Sequence, residues 1–417
     1  MKKVLLVKVS EKILFCFALL AAVCLIPLLA AAEGTIKITY SGPLTGPMAV
    51  IGTEELYHIQ FLADKINAQG GVLGGKKFEV ISLDDKFSVQ ESQINLRKMI
   101  SRDLHFLIQG AGSHISHAIT DFLRKHNSRN PDQAILFFNM ATQDPPLTGE
   151  KCNFWHFRFF PNTAMKMAAL TDYIAKKPEI KKVYLINQDY SYGRSVQRAA
   201  HEMLKMKRPD IKIVGDDLHP IVKIKDFSPY ITKIRASRAD AVITANWGPD
   251  LTLLVKAGEE AGLDVIWYTY VGGDDGTAAT LGKAGKNRLY QICDWHLNIP
   301  NPGMELFTID YKKKYDQTWF YISIVSLMDM FVKALNEVGQ PDPLKVAKVL
   351  EGMHHQTITG EVYIDEGHQL IMPLFITVYT DAVKYDLSDT GMGLKTVMRI
   401  EAKEVVLPTN CVMKRPD

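Results

Sequence analysis

The residues best placed to do chemistry sit in short loops. In "GAGSHIS", Gly110 and Gly112 let the backbone approach a ligand, and Ser113 adds a hydroxyl beside the free amides of a helix start. That combination suits an anion such as a carboxylate. The pair is not GxGxxG, and no GxxxxGK[ST] follows, so a nucleotide is a weak reading and no cofactor is expected. Ser113 with His114 or His117, or the paired Asp274 and Asp275 of "GGDDG", would be the parts of an exported enzyme. No GxSxG elbow surrounds any serine, and adjacent acids in a turn diverge, so an enzyme is the weaker alternative. The histidines of "SHISH" and "MHHQ" read as surface residues. Without CxxC or a Cys/His cluster at ligand spacing, no metal is expected.

The elements that must hold these loops alternate. "TIKITY" reads as a strand, followed by the loop "SGPLTGPMAVIG" and a helix with Leu56, Ile59, Ala63 and Ile66 on one face and Glu54 and Glu55 in its first turn. "KFEVISLDD" is a strand, residues 90–100 a helix, and "LHFLIQG" and "AILFFN" strands around a helix over 115–125. This βαβα order implies a parallel sheet. A second series follows "FWHFRFFPNT": helices over 165–176 and 196–205 and in "SPYITKIRASR" and "DLTLLVKAGEEAG", with strands in "KVYLINQD", "IKIVGDD", "ADAVITAN" and "VIWYTYV". The pattern breaks near "ICDWHLNIPNPG". Two helices over 304–315 and 322–338 and two late strands, "PLFITVYTD" and "LKTVMRIEAKEVV", end the chain. Two α/β series without a low-complexity linker imply two lobes joined by short crossings.

Both the opening loop and "GAGSHIS" follow strand ends, where open parallel sheets collect ligands. The N-terminus reads as a secretory signal: four lysines, an apolar run over 13–30 and a small-residue site, with cleavage after Ala32. A retained membrane anchor and a lipid-modified Cys24 are the competing readings. Removing residues 1–32 takes away four lysines and one glutamate, so the formal charge of +3 falls to zero. A balanced chain lacks the basic excess that nucleic acid or an anionic membrane rewards. Export implies an oxidising compartment, where Cys152, Cys293 and Cys411 can form one disulfide, the pair left open.

Taken together, "SGPLTGPMAVIG", "DKINAQGGVLGGKKFEVISLDD", "NQDYSYGRSV", "KDFSPYITKIRASRADAVITAN" and "EEAGL" resemble the solute-binding proteins of bacterial ABC importers of the branched-chain amino acid type. The likeness covers essentially all of residues 33–417. It implies the type I periplasmic binding protein fold: two doubly wound parallel-sheet lobes joined by three crossings, 33–157 with 296–364 and 158–295 with 365–417. It further implies a periplasmic monomer that closes on a small solute and hands it to permease subunits in the inner membrane. Position by position, Ser113 matches a serine that holds the ligand carboxylate. Met140 and Thr142 match a backbone group and a hydroxyl on the next loop. Tyr192 and Trp247 match aromatic positions in the second lobe, and Asp274, or Asp275, matches an acid that receives the α-ammonium. Phe320 and Tyr321 fall near another wall position. Asp84 and Asp85 match strand-end acids that fix loops. The sequence departs from the family's pattern at Met140, Trp247 and Asp274, where a small residue, tyrosine and glutamate are usual. A leucine-like amino acid is therefore the leading ligand, with aromatic or other carboxylates and small amides as alternatives. A receptor for a signalling partner is the other use of the same fold.

Overall fold

The computed structural model describes residues 34–416, so the signal segment and its alternatives lie outside the described residues. Strand and helix alternate from the start. The first series is β1 (Thr35–Gly42), α1 (Ala49–Ala68), β2 (Lys77–Asp84), α2 (Val89–Ser101), β3 (Phe106–Gln109), α3 (Ser113–Arg129), β4 (Leu136–Asn139) and β5 (His156–Arg158). Its strands form a parallel sheet in the order β2-β1-β3-β4-β5. β3 and β4 are buried along their whole length, as strands covered by helices on both faces must be.

The second series is α4 (Thr163–Ala175), β6 (Lys182–Gln188), α5 (Ser191–Lys207), β7 (Lys212–His219), α6 (Ser228–Ser237), β8 (Ala241–Thr244), α7 (Pro249–Glu260), β9 (Ile266–Thr269), α8 (Asp275–Leu281) and β10 (Leu289–Cys293). The chain then adds α9 (Pro302–Tyr315), α10 (Ile322–Val338) and α11 (Pro343–Leu350) to the first lobe, where the Phe331 ring packs 4.8 Å from Phe106 and 5.0 Å from Phe138. β11 (His354–Thr357), β12 (Gly360–Ile364) and β13 (Leu370–Ile371) make a small antiparallel sheet. Finally β14 (Leu374–Thr380) and β15 (Gly393–Ile400) join the second lobe, whose sheet runs β15-β14-β10-β9-β8-β6-β7. Only β14 runs against the other strands, pairing antiparallel with both β10 and β15.

Crossings between the sheets fall at 159–162, 294–301 and 372–373. The last comes later than the boundary expected after residue 364, because β13 still pairs with β12. The tail departs further from the expected division. After β15 it returns to the first lobe, where Cys411 is bonded to Cys152, Thr409 donates to the Thr148 carbonyl and Arg415 pairs with Glu351 at 2.6 Å. Cys293 is left as a buried thiol, which burial pushes up to about 12.

The disulfide closes a loop of 259 residues, and cross-links across long loops remove much disorder from the unfolded chain. The double substitution Cys152→Ser/Cys411→Ser should therefore cost about 4 kcal/mol in urea unfolding of residues 33–417. An unchanged midpoint would mean that the tail contributes nothing to global stability.

Candidate ligand-binding cleft

Between the two lobes lies a cavity of about 510 Å³, its mouth included. Its walls come from both sheets, each following the carboxyl end of a strand. From the first lobe come residues 110–113 after β3, Ala141, Thr142 and Gln143 after β4, and Phe160 after β5. From the second come Tyr190 and Tyr192 after β6, Trp247 after β8 and Val271 after β9. Ile51 and Glu55 of α1, with Phe320 and Tyr321 before α10, complete the wall.

Local chemistry explains how each piece is held. Gly112 turns the chain into α3 at φ +86°, a conformation a side chain resists, and a Cβ there would meet the Phe87 ring at 2.9 Å. The first bonds of α3 run from Ile115 and Ser116 back to the Gly112 carbonyl, so the amides of Ser113 and His114 precede the helix's own bonding. The Ser113 hydroxyl accepts from the Gln143 amide at 3.3 Å, and Thr142 shares a 2.9 Å hydroxyl contact with Ser116, which ties the two loops together. Asp84 fixes the opening loop by accepting from the Leu44 amide at 2.9 Å and from the Thr45 hydroxyl at 2.5 Å. Asp85 accepts from the Phe87 amide at 2.9 Å.

The approach of Phe320 and Tyr321 depends on a buried histidine in α1. His58 Nδ1 bonds to the Glu54 carbonyl at 2.7 Å, and Nε2 accepts from the Phe320 amide at 2.9 Å. Burial pushes its pKa down to about 3, so the ring is neutral and has one acceptor nitrogen to offer. Its face packs 4.1 Å from the Trp319 ring.

Across the cleft, the Trp247 indole donates to the Tyr190 hydroxyl at 2.8 Å and stands 5.9 Å from the Phe87 ring of the first lobe. The Tyr192 hydroxyl and the Gln143 Oε1 are buried on the cavity wall without a hydrogen-bond partner. Buried polar atoms left unpaired on residues that line a cavity are candidate places for a solute to bond.

Of the residues singled out by sequence, Ser113, Thr142, Tyr192 and Trp247 meet on this wall, as do Phe320 and Tyr321. Met140 is not on it. Its side chain is core, and its carbonyl accepts from Ser323 at 2.9 Å, leaving Ala141 to face the cavity. Asp274 is buried and lies outside the lining. It caps α8, a helix that the plain-turn reading of "GGDDG" omits, by accepting from the Thr277 amide at 2.8 Å. His117, one half of the Ser/His alternative, bonds to Asp144 at 2.6 Å instead.

The sequence reading singled out none of Ala141, Gln143, Phe160, Tyr190 and Val271, and took Glu55 only as a first-turn acid. Helix α1 begins at Ala49, so Glu54 and Glu55 are in its second turn and buried rather than in an exposed first turn. The spacing Ile51, Glu55, Ile59 puts the acid on the apolar stripe, which is the signal that would have found it. Tyr40 donates to Glu55 at 2.8 Å from β1. A Cβ on Gly110 would overlap the same carboxyl, so that glycine makes its room. Burial pushes Glu55 up to about 8 against the pull of the Tyr40 bond, with the Asp85 charge adding to the rise.

A family model described as periplasmic binding protein matches residues 35–384. The chain belongs to that family. It is a solute-binding receptor of the ABC-transporter type and not an enzyme, and its two lobes are the type I periplasmic binding protein fold. Among curated relatives, the Leu/Ile/Val-binding protein homolog 4 of Brucella abortus (strain 2308) is 28% identical over 396 residues, 93% of this chain and 94% of its own. A leucine-, isoleucine-, valine-, threonine- and alanine-binding protein from Brucella ovis, solved in a closed conformation, superposes with a TM-score of 0.82 at 28% identity, covering 92% of this chain and all of that one. A solute-binding protein from Rhodopseudomonas palustris in complex with 3,4-dihydroxy benzoic acid shares the fold at a TM-score of 0.77 and 20% identity, over 88% and 98% of the two chains.

The Glu55 carboxyl makes stability depend on pH. The folded protein holds a proton there that the unfolded chain releases, so this stabilisation is full below pH 4.5 and is lost as pH rises through about 8. Glu55→Gln should flatten the fall in melting temperature across that window when no solute is added. Parallel curves for the two proteins would show that Glu55 titrates normally.

Proposed function

We propose that the cleft closes on an α-amino acid with an apolar side chain, a branched-chain one first, and that the loaded receptor delivers it to ABC permease subunits in the inner membrane. One observation carries this reading: a helix start with a serine hydroxyl, an apolar and aromatic wall and a buried carboxyl share one cavity between two lobes. A carboxylate fits the Ser113 and His114 amides with the Ser113 and Thr142 hydroxyls, and the side chain fits Ile51, Val271 and the rings. The leucine-type names of the Brucella relatives support the same class. A solute touching both lobes has more contacts when they are closed and so shifts the population toward closure. Working from the periplasm, as a monomer, is part of the same proposal.

Six rings around the cavity favour a second reading, a planar aromatic carboxylate: Phe160, Tyr190, Tyr192, Trp247, Phe320 and Tyr321. A thermal-shift screen of residues 33–417 separates the two, because a solute bound only to the folded state raises the melting temperature. Stabilisation by leucine, isoleucine or valine supports the first reading. Stabilisation by benzoates alone replaces it with the second. For whichever solute binds, Ser113→Ala should weaken affinity about tenfold, the worth of one hydrogen bond to a charged group. Unchanged affinity in calorimetry would remove Ser113 from the site.

A further inference from the structure

A cavity that takes an amino acid must also satisfy an ammonium group, and Asp274, the residue matched to that task by resemblance, is engaged at the start of α8 and is not on the wall. We propose that Glu55, on α1 in the first lobe, receives the solute's amine instead. The inference rests on the amino-acid reading above.

Placement argues for it first. Among the described residues that line the cavity, Glu55 is the one carboxyl, and none is a lysine or arginine. Its Oε1 lies over Gly110, in the same loop whose Ser113 end offers the carboxylate seat. Two oppositely charged groups of a solute thus find complementary partners on one short loop and the helix beside it. Orientation argues next. The Tyr40 hydroxyl occupies Oε2 and holds the carboxyl in one rotamer, while Gly110 supplies the room a side chain would fill. A group pinned in this way needs no rearrangement to bind, which lowers the entropic cost of the contact.

The charges around Glu55 fit the same role. Tyr40 faces it from β1, Asp85 from the end of β2 and Tyr321 from the segment before α10, and none of these is a cation. In the empty cleft burial favours the neutral acid, pushed up to about 8. An ammonium at bonding distance favours the carboxylate, so the proton leaves as the amine arrives. Binding would then exchange a proton on Glu55 for a charged hydrogen bond and keep the buried site close to neutral. A simple carboxylate brings no such cation, and Glu55 would keep its proton.

Calorimetry of residues 33–417 with L-leucine and with 4-methylpentanoate, the same molecule without its amine, tests this. In two pH 7 buffers of different ionisation heat, leucine binding to the wild type should release close to one proton, and 4-methylpentanoate binding none. Glu55→Gln should weaken leucine at least tenfold, leave 4-methylpentanoate within about twofold and abolish the release. Asp274→Asn should change neither. The wild-type measurement needs no variant to fold. Leucine binding with no proton release, unchanged leucine affinity in Glu55→Gln, or a selective loss in Asp274→Asn each overturns the assignment while the receptor reading stands. A wild type that takes only carboxylates and no amino acid overturns the amino-acid reading, and the assignment with it.

Discussion

The parallel direction of two sets of strands fixes the site. β1, β3, β4 and β5 in one lobe and β6, β8 and β9 in the other end facing one another, and every loop leaving them turns into the gap. Because a parallel strand must be followed by a crossover, each such loop except the one from β4 to β5 is also the entry to an α-helix or to a lobe crossing. Amides with no helical partner and side chains one or two residues past a strand are thereby delivered to the same place. The cleft is what the topology leaves over once both sheets are covered, and residue choice only tunes it.

That tuning is done with buried polar groups held by specific partners. His58 is neutral and bonds at both nitrogens, so it can sit in the first lobe's core and still carry Phe320 to the wall. Glu55 is tolerated for a related reason: Tyr40 satisfies one oxygen, and the neutral form avoids the cost of a buried charge. Both lie on α1, whose apolar stripe would otherwise read as ordinary core. The helix that supports the first lobe is thus also a wall of the cavity.

Much of this was legible in the sequence. The alternation of strands and helices gives the two lobes, because buried parallel strands are short apolar runs and their helices have clear apolar faces. Ser113 was legible from its place after a strand end, and Tyr192 and Trp247 through the resemblance to the family. What escaped did so for physical reasons. An acid beside a helix start looks solvated until the helix is known to begin five residues earlier, at Ala49. Asp274 sits in a run of glycines and acids that suits a turn as well as a seven-residue helix, and α8 exists because the cap at Thr277 and the packing of Ala278 and Leu281 decide it. The third crossing and the returning tail depend on pairing between residues far apart in sequence, which local pattern does not record.

The bond between Cys152 and Cys411 also changes the covalent topology of the molecule. Residues 152–411 form a ring, and all three crossings belong to it. A hinged protein of open-chain topology falls into two polypeptides when one strand of its hinge is severed. Here a single break at any crossing only opens the ring, and the fragments stay joined through sulfur. Two breaks are needed before any piece can leave, so a single peptide-bond cleavage in any of the three crossings leaves the connectivity of the whole intact.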